Sequence, residues 1–433
     1  MKSYKRRPGA LGSLAFVVSL TLSAPLSSPA GDIAWPGMAD VRTLNGMASG
    51  AVRFGTAQGL RRAAAAAPRA ASVPGGTANY FTGTGTDISS VIARTIDGAR
   101  SSIQAALYEL DLDNVARAFI AAHQRGVNVQ ILMDYSYAFP NHDAGVREGP
   151  LQALIKAGVD VRVIRGFNTY GIQHNKFAVF DGRLLETGSM NWSENSNTAD
   201  YNNVIFRGDP GLVKSFAGYW NWMWSSASTI QEAAHGISSP DLGKPPSGYA
   251  SVRYFKGQKY PAATFSPKGA TTYRLVDLIK ASQSTIDIAM FAFTSKPVAE
   301  ALVEAENRGV AVRFLLDKSE ASYSVGKTLL DAGIKVKILS GISGNGVMHD
   351  KFGIFDGQML ETGSYNYTNG AAFSNFENAV YETDPKTIAA FQSDFDALYS
   401  KGKPATADDL TPSSDSPPQA PLRGGASRPL SRR

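Results

Sequence analysis

Apolar positions along the chain fall into short β-branched runs separated by amphipathic stretches, and the alternation occurs twice. Ile103–Leu110 and Ile286–Phe293 are apolar runs of strand length. Val115–Gln124 and Val298–Asn307 carry apolar residues at helical spacing, and each is closed by an Arg-Gly stop. Strands are predicted again over Val127–Met133 and Val310–Leu316, then short helices over Leu151–Ala157 and Lys327–Ala332. Val159–Ile164 and Ile334–Leu339 read as strands. Lys176–Asp181 and Lys351–Asp356 follow, bounded by Asp-Gly turns, and Leu185–Gly188 and Leu360–Gly363 return. Helices at 87–100 and 271–283 open the copies, strands at 202–206 and 377–382 follow later, and Phe216–Trp224 and Thr387–Tyr399 close them as helices. Strands alternating with helices predict an α/β fold of two similar halves, each a mixed β-sheet flanked by helices.

The pattern repeats because the sequence does. His174 to Asn191 (HNKFAVFDGRLLETGSMN) and His349 to Asn366 (HDKFGIFDGQMLETGSYN) agree at 12 of 18 positions without a gap. The offset of 175 persists to Asp209-Pro210 and Asp384-Pro385. Upstream, HQRGVNVQILMD (123–134) matches ENRGVAVRFLLD (306–317) at an offset of 183. The eight extra residues of the first copy fall around Tyr135–Pro150, a polar, turn-rich loop.

The ends differ from this body. Lys2 to Arg7 are basic, Leu11–Leu22 are apolar, and Ser28-Pro29-Ala30 forms a small-x-small cleavage pattern, so residues 1–30 read as a secretory signal peptide. The apolar stretch is shorter than the ~20 residues of a membrane span. Residues 31–78 read as a flexible Ala/Gly/Arg-rich segment, 233–258 as a Pro/Gly-rich linker, and 403–433 as a disordered tail. The repeats then occupy 79–232 and 259–402. A secreted or periplasmic location is expected. All 433 residues include no Cys, which excludes a disulfide scaffold, a Cys nucleophile and Cys-ligated zinc. The formal charge is +6, yet residues 79–400 alone carry −4. A mildly acidic body is a poor electrostatic footprint for a general nucleic-acid binder.

Candidate chemistry lies inside the repeated block. On a strand, His174 and Lys176 share one face, as do His349 and Lys351. Ser189 and Asn191, and Ser364 and Asn366, are again two apart. Each copy thus offers imidazole, ammonium, hydroxyl and amide in a row: cations and donors for phosphate oxygens, and a nucleophile for phosphorus. Asp181 and Asp356 each precede a Gly, and turn structure explains them as well as catalysis does. Tyr219, Trp220, Trp222 and Trp224 form an aromatic patch that fits helix packing or a lipid-facing surface. Tyr135, Tyr137 and Phe139 fit substrate contact or loop packing equally. His123, His142 and His235 receive no function.

At these residues the chain resembles the phospholipase D superfamily, whose motif HxKxxxxD followed by GSxN is present in both copies. The stretch LETGSYNYT…NFEN (360–378) is similar to the bacterial endonuclease and mitochondrial cardiolipin hydrolase branch. The exported two-motif layout is more similar to bacterial phospholipases D. The resemblance implies two halves related by a pseudo-two-fold, with one shared central active site. It implies a metal-free, cofactor-free, two-step reaction in which one His attacks phosphorus and the other protonates the leaving alcohol. His174, Lys176, Asp181, His349, Lys351 and Asp356 are the expected catalytic residues. Ser189, Asn191, Ser364, Asn366, Glu377 and Asn202 are the expected supports. Glu377 and Asn202 occupy equivalent positions; within its own copy Glu377 pairs with His349, and Asp200 is the candidate substitute for the charge that Asn202 lacks. The resemblance instead favours His174 as nucleophile. The expected substrate is a glycerophospholipid at a membrane or micelle surface, acted on by a monomer. Nucleic acid is the alternative, with the same chemistry.

Overall fold

The computed structural model describes residues 77–140, 145–268 and 270–412. The signal peptide, nearly all of the segment that follows it, and the tail beyond 412 lie outside the described residues; residues 403–412 of the expected disordered tail are ordered and begin with a short strand, Lys403–Pro404, on the edge of the second sheet. The first half contains strands β1 (Thr77–Phe81), β2 (Ser102–Leu107), β3 (Asn128–Asp134), β4 (Asp160–Ile164), β5 (Lys176–Phe180), β6 (Leu184–Gly188), β7 (Asn203–Arg207) and β8 (Ser228–Thr229). Its helices are α1 (Ile88–Gly98), α2 (Asp113–Gln124), α3 (Tyr135–Ala138), α4 (Pro150–Lys156), α5 (Glu194–Thr198), α6 (Pro210–Trp224) and α7 (Ile230–Ala233). The strands form one sheet in the order β1-β7-β6-β5-β2-β3-β4-β8. Only β2-β3-β4 run parallel, as expected where helical crossovers join them.

A hairpin, β9 (Val252–Phe255) and β10 (Gln258–Pro261), leads to the second half. There the strands are β11 (Ala263–Phe265), β12 (Thr285–Met290), β13 (Ala311–Asp317), β14 (Lys335–Leu339), β15 (Lys351–Phe355), β16 (Met359–Gly363), β17 (Asn378–Glu382) and β18 (Lys403–Pro404). The helices are α8 (Thr271–Ala281), α9 (Lys296–Asn307), α10 (Gly326–Asp331), α11 (Asn369–Phe373) and α12 (Pro385–Lys401). The sheet order, β11-β17-β16-β15-β12-β13-β14-β18, reproduces the first.

The recurring Asp-Pro dipeptides start the long helices. Asp209 and Asp384 accept the N–H groups of Leu212 and Thr387, both at 2.8 Å, and Pro210 and Pro385 occupy the first turn. The helix expected from Phe216 therefore begins two turns earlier. α6 and α12 pack with Phe177 and Val179 of β5 and Phe352 and Ile354 of β15 into one apolar layer shared by both halves. The tryptophan patch belongs to this packing: Trp220 is buried, its Nε1–H donates to Ala105 O at 3.0 Å, and its ring stacks on Trp224. Tyr135, Tyr137 and Phe139 are likewise buried, and the Tyr137 hydroxyl donates to Leu110 O at 2.6 Å. They fill the first core rather than a rim. The 233–258 stretch includes β9, whose Arg253 reaches both Asp209 (3.3 Å) and Glu382 (3.6 Å).

Candidate active site

Two reciprocal backbone seams create the site. The N–H of His174 donates to Phe376 O at 3.0 Å, and the N–H of Phe376 to Ile172 O at 2.9 Å. On the other side His349 N–H donates to Tyr201 O at 2.9 Å, and Tyr201 N–H to Val347 O at 3.0 Å. Each histidine segment is therefore paired with the other copy's chain, one residue before Glu377 or Asn202. The consequence is a crossing. His174 Nδ1 lies 2.9 and 3.0 Å from the two carboxylate oxygens of Glu377, and His349 Nδ1 lies 3.0 Å from Asn202 Oδ1. The expected pairing of Glu377 with His349 inside one copy is thus corrected. Spacing within a copy carries no information about a seam between copies. Asp200 does not supply a charge to His349 either; it accepts from Asn195, Ser196 and the Val347 N–H.

The remaining groups fall into two matching sets. Lys176 Nζ donates to His174 O at 2.6 Å, and Lys351 Nζ to His349 O at 2.7 Å. Tyr108 stands edge-on to His174 and under Lys176; Phe291 does the same for His349 and Lys351. The Ser189 hydroxyl donates to Asn202 Oδ1 (2.9 Å) and that of Ser364 to Glu377 (2.7 Å), so both serines position the histidines' partners. Asn366 Oδ1 accepts the Ala292 N–H at 3.3 Å, whereas the buried Asn191 Oδ1 has no protein partner.

Asp181 and Asp356 are not brought to this cluster. They follow the far ends of β5 and β15, about 16 Å along the strand from the lysines. Asp181 accepts the N–H groups of Arg100, Ser101 and Ser102, and Asp356 those of Gln283, Ser284 and Thr285. Both adopt positive φ, 51° and 50°. They lock the turn entering β2 and β12, where the Ser101 and Ser284 hydroxyls and, for Asp356, Lys256 Nζ at 2.8 Å add to the backbone donors, and the expectation of a catalytic role is replaced by a structural one.

Burial sets the electrostatics. His174 and His349 are 1% and 2% exposed. Desolvation depresses His174 to about 4, with Glu377 opposing the shift and Lys176 and Lys351 adding to it. His349 is held well below the ordinary value by burial and by Lys351, Lys176 and His174, against a raising backbone contact from Ser189. Burial also lowers Lys176 to about 7, against the pull of Glu377, Glu109 and Asp134, and lowers Lys351 strongly. Burial alone would raise Glu377, but His174, Lys176 and Ser364 outweigh it and keep the carboxylate low. Burial thus disfavours the charged form of both imidazoles and both amines, and a bound anion would favour it again.

Several supporting residues escaped the sequence reading. Asp134 and Asp317 accept the N–H groups of Gln173 and Met348, each at 2.8 Å, and so fix the residue before each histidine. They end the matched blocks 123–134 and 306–317, which was the available signal. Asn203 bonds Asp350 and Thr362, and Asn378 bonds Asn175 and Thr187, tying the two sheets beneath the site. Glu109 lies beside Lys176, buried and raised to about 7 by desolvation; Ala292 takes its place in the second copy. Among the described residues no group of three or more His, Cys, Asp or Glu side chains could hold a metal ion.

The family described as cardiolipin synthase, PLD-like domain, matches residues 92–224 and again 275–399, which is more than half of the chain. The chain belongs to the phospholipase D superfamily. This superfamily member is 34% identical over 146 residues to a mitochondrial cardiolipin hydrolase of Chlamydomonas reinhardtii, an alignment covering 33% of this chain and 64% of that protein. It spans less than two thirds of that relative's length. It is 24% identical over 357 residues to cardiolipin synthase A of Edwardsiella ictaluri, covering 75% of this chain and 70% of that protein. Phosphatidylserine synthase of Haemophilus influenzae shares the fold, with a TM-score of 0.59 at 13% identity over 76% of this chain and 87% of that one.

Proposed function

We propose that this superfamily member is an exported phospholipase D-type phosphodiesterase that cleaves glycerophospholipids to phosphatidic acid and a free headgroup alcohol. The observation that carries the reading is the crossed site: two histidines, each held at Nδ1 by the other copy's residue, beside two buried lysines. With Nδ1–H donated to Glu377, His174 presents the Nε2 lone pair to phosphorus. The phosphohistidine that forms is cationic at the ring, and Glu377 is the buried charge that stabilises it. His349, protonated once the phosphate anion has raised it, gives its proton to the leaving alcohol and then activates water. Lys176 and Lys351 neutralise the non-bridging oxygens. An alcohol in place of water would make the same site a transferase.

The body's net charge of −4 over 79–400 offers little long-range attraction to an extended polyanion such as DNA, so attraction to any anionic partner rests on local basic patches. The test is a side-by-side assay on phosphatidylcholine, cardiolipin and single-stranded DNA in EDTA. Phospholipid turnover lost in His349→Ala and Lys351→Ala supports the reading. Degradation of DNA at low salt with every phospholipid intact replaces it with a metal-independent endonuclease.

A further inference from the structure

The two rims of the cleft are built from equivalent segments but differ in exposed aromatic surface and in charge. Loops 166–171 and 341–346 share one fold: Gly166 N–H donates to Gly171 O and Gly341 N–H to Gly346 O, at 3.0 and 2.8 Å. Phe167 N–H then reaches Ser374 O, and Ile342 N–H reaches Ala199 O, both at 2.7 Å. On the rim formed by 166–171 and α11, Tyr170 is 72% exposed and Phe373 58% exposed. Asn345 and Thr198 stand at their equivalents on the other rim, where Ile342, 37% exposed, replaces Phe167 and Lys401 lies over the Tyr201 ring at 5.1 Å. Lys268 joins the aromatic rim: its Nζ lies 3.9 Å from the centre of the Phe167 ring, and its N–H donates to Ala372 O at 3.3 Å. The equivalent 82–86 segment of the other rim, Thr-Gly-Thr-Gly-Thr, carries no basic residue.

Charge follows the same division. Lys268 also lines a cavity of about 240 Å3 together with Lys244, Arg274 and Tyr249, and its lining includes no acidic residue. Arg274 is braced by Asp277 at 3.1 Å and donates to the Tyr249 hydroxyl at 2.9 Å. The opposite rim opens into a cavity of about 630 Å3 lined by Asp87, Asp113 and Glu194, with Arg117 as its basic residue. Exposed aromatic rings beside lysine and arginine suit the headgroup level of a bilayer, where an amphipathic ring and a cation each find a partner. The aromatic rim is also coupled to the chemistry by the chain itself. Tyr170 precedes His174 by four residues, and Phe373 precedes Glu377 by four. No helix among the described residues is long and apolar enough to cross a membrane.

We infer that the rim formed by Phe167, Tyr170, Phe373 and Lys268 is a one-sided docking lip for an anionic phospholipid surface, with a lipid phosphate seated in the Lys244–Lys268–Arg274 cavity. This rests on the phospholipid reading of the active site and names the surface from which that substrate is taken. The acidic rim is repelled by the same surface, so the cleft meets it tilted toward the His174–Glu377 side.

The test is sedimentation of the full-length protein with vesicles of phosphatidylcholine, alone or with one part in three phosphatidylglycerol, at low and at moderate salt. Binding is expected only to the anionic vesicles and is expected to weaken with salt. Lys268→Glu should lower the apparent affinity by roughly tenfold or more, and Tyr170→Ser combined with Phe373→Ser should do likewise at unchanged Tm. Asn345→Glu on the opposite rim should leave binding unchanged. Equal vesicle binding by wild type and Lys268→Glu, or an equal loss in Asn345→Glu, overturns the lip. Loss of single-stranded DNA binding in Lys268→Glu, with no vesicle binding by wild type, makes the surface a polynucleotide site and also overturns it. The two readings fail separately. Lip-dependent vesicle binding without turnover of any phospholipid sinks the proposed function alone. Turnover and vesicle binding both indifferent to the lip variants sink the lip alone.

Discussion

Glu377→Gln tests the crossed pair most directly. The carboxylate is fully buried and accepts from His174 Nδ1 (2.9 Å), Ser364 Oγ (2.7 Å) and Asn375 Nδ2 (3.0 Å). Glutamine has the same shape but no charge, and one of its two ends donates. At least one of the three donors then faces an N–H. A hydrogen bond to a buried charge contributes about 1.5–3 kcal/mol, and the cationic ring of the phosphorylated His174 loses its counter-charge as well. A combined loss of about 4 kcal/mol in the transition state corresponds to roughly a thousandfold in kcat. The assay is rapid-quench trapping of the phosphoenzyme, with the phosphorylated peptide mapped at alkaline pH, where a phosphohistidine survives. Two substrates are compared: a phospholipid, and a nitrophenyl phosphodiester whose leaving group needs no proton. Glu377→Gln should be slow on both, because attack is impaired. His349→Ala should recover a burst on the nitrophenyl ester and accumulate phosphate on His174. A Glu377→Gln variant within tenfold of wild type, or a burst retained by His174→Ala, would refute the argument.

Other outcomes follow from the same geometry. kcat/KM should rise with pH through about 4, as His174 loses its proton and becomes nucleophilic, and fall above about 7, as Lys176 loses the charge that holds the phosphate; a profile flat from pH 5 to 9 contradicts the Lys176 shift, and one still rising between pH 5 and 7 contradicts the His174 shift. Asp356→Asn should lower stability by about 2 kcal/mol through the turn it caps, seen as a lower Tm, with kcat per folded molecule unchanged. Activity should persist in EDTA, and loss on chelation restored by a divalent ion would count against the two-histidine mechanism.

The duplication made most of the fold legible, because each ambiguous apolar run could be checked against its copy. What lay outside the copied text was missed. β1 and β11 are short edge strands of 5 and 3 residues in stretches read as linker or left unassigned, and they are fixed by pairing with β7 and β17. The start of α6 was hidden because Asp209-Pro210 reads equally as a turn. His174, Lys176, His349 and Lys351 were legible as a site since a strand puts positions two apart on one face. Asp181 and Asp356 were ambiguous in sequence, and the backbone N–H groups of the facing turns decide them. The crossing of Glu377 to His174 was illegible in principle, as it depends on which backbone lies beside which at the seam.

That seam also explains how one chain makes two histidines unequal. At the two equivalent pairs the order of acid and amide is reversed: Asp200 and Asn202 in the first copy, Asn375 and Glu377 in the second. Asn375 donates to Glu377, which touches His174; Asp200 turns to Asn195 and the Val347 N–H, while Asn202 touches His349. Placing Glu at 202 alone would set it against the Asp200 carboxylate, so exchanging the single position is a poor experiment. Exchanging both pairs together (Asp200→Asn and Asn202→Glu with Asn375→Asp and Glu377→Asn) keeps the acid count and moves the buried charge to His349. The nucleophile should move with it, since the ring that is phosphorylated is the one whose positive charge is opposed. Peptide mapping of the trapped intermediate should then find phosphate on His349, with Tm reporting that the exchanged protein is folded. Phosphate still on His174 in a folded, active exchange variant would mean that something other than the Glu377 carboxylate decides which histidine attacks.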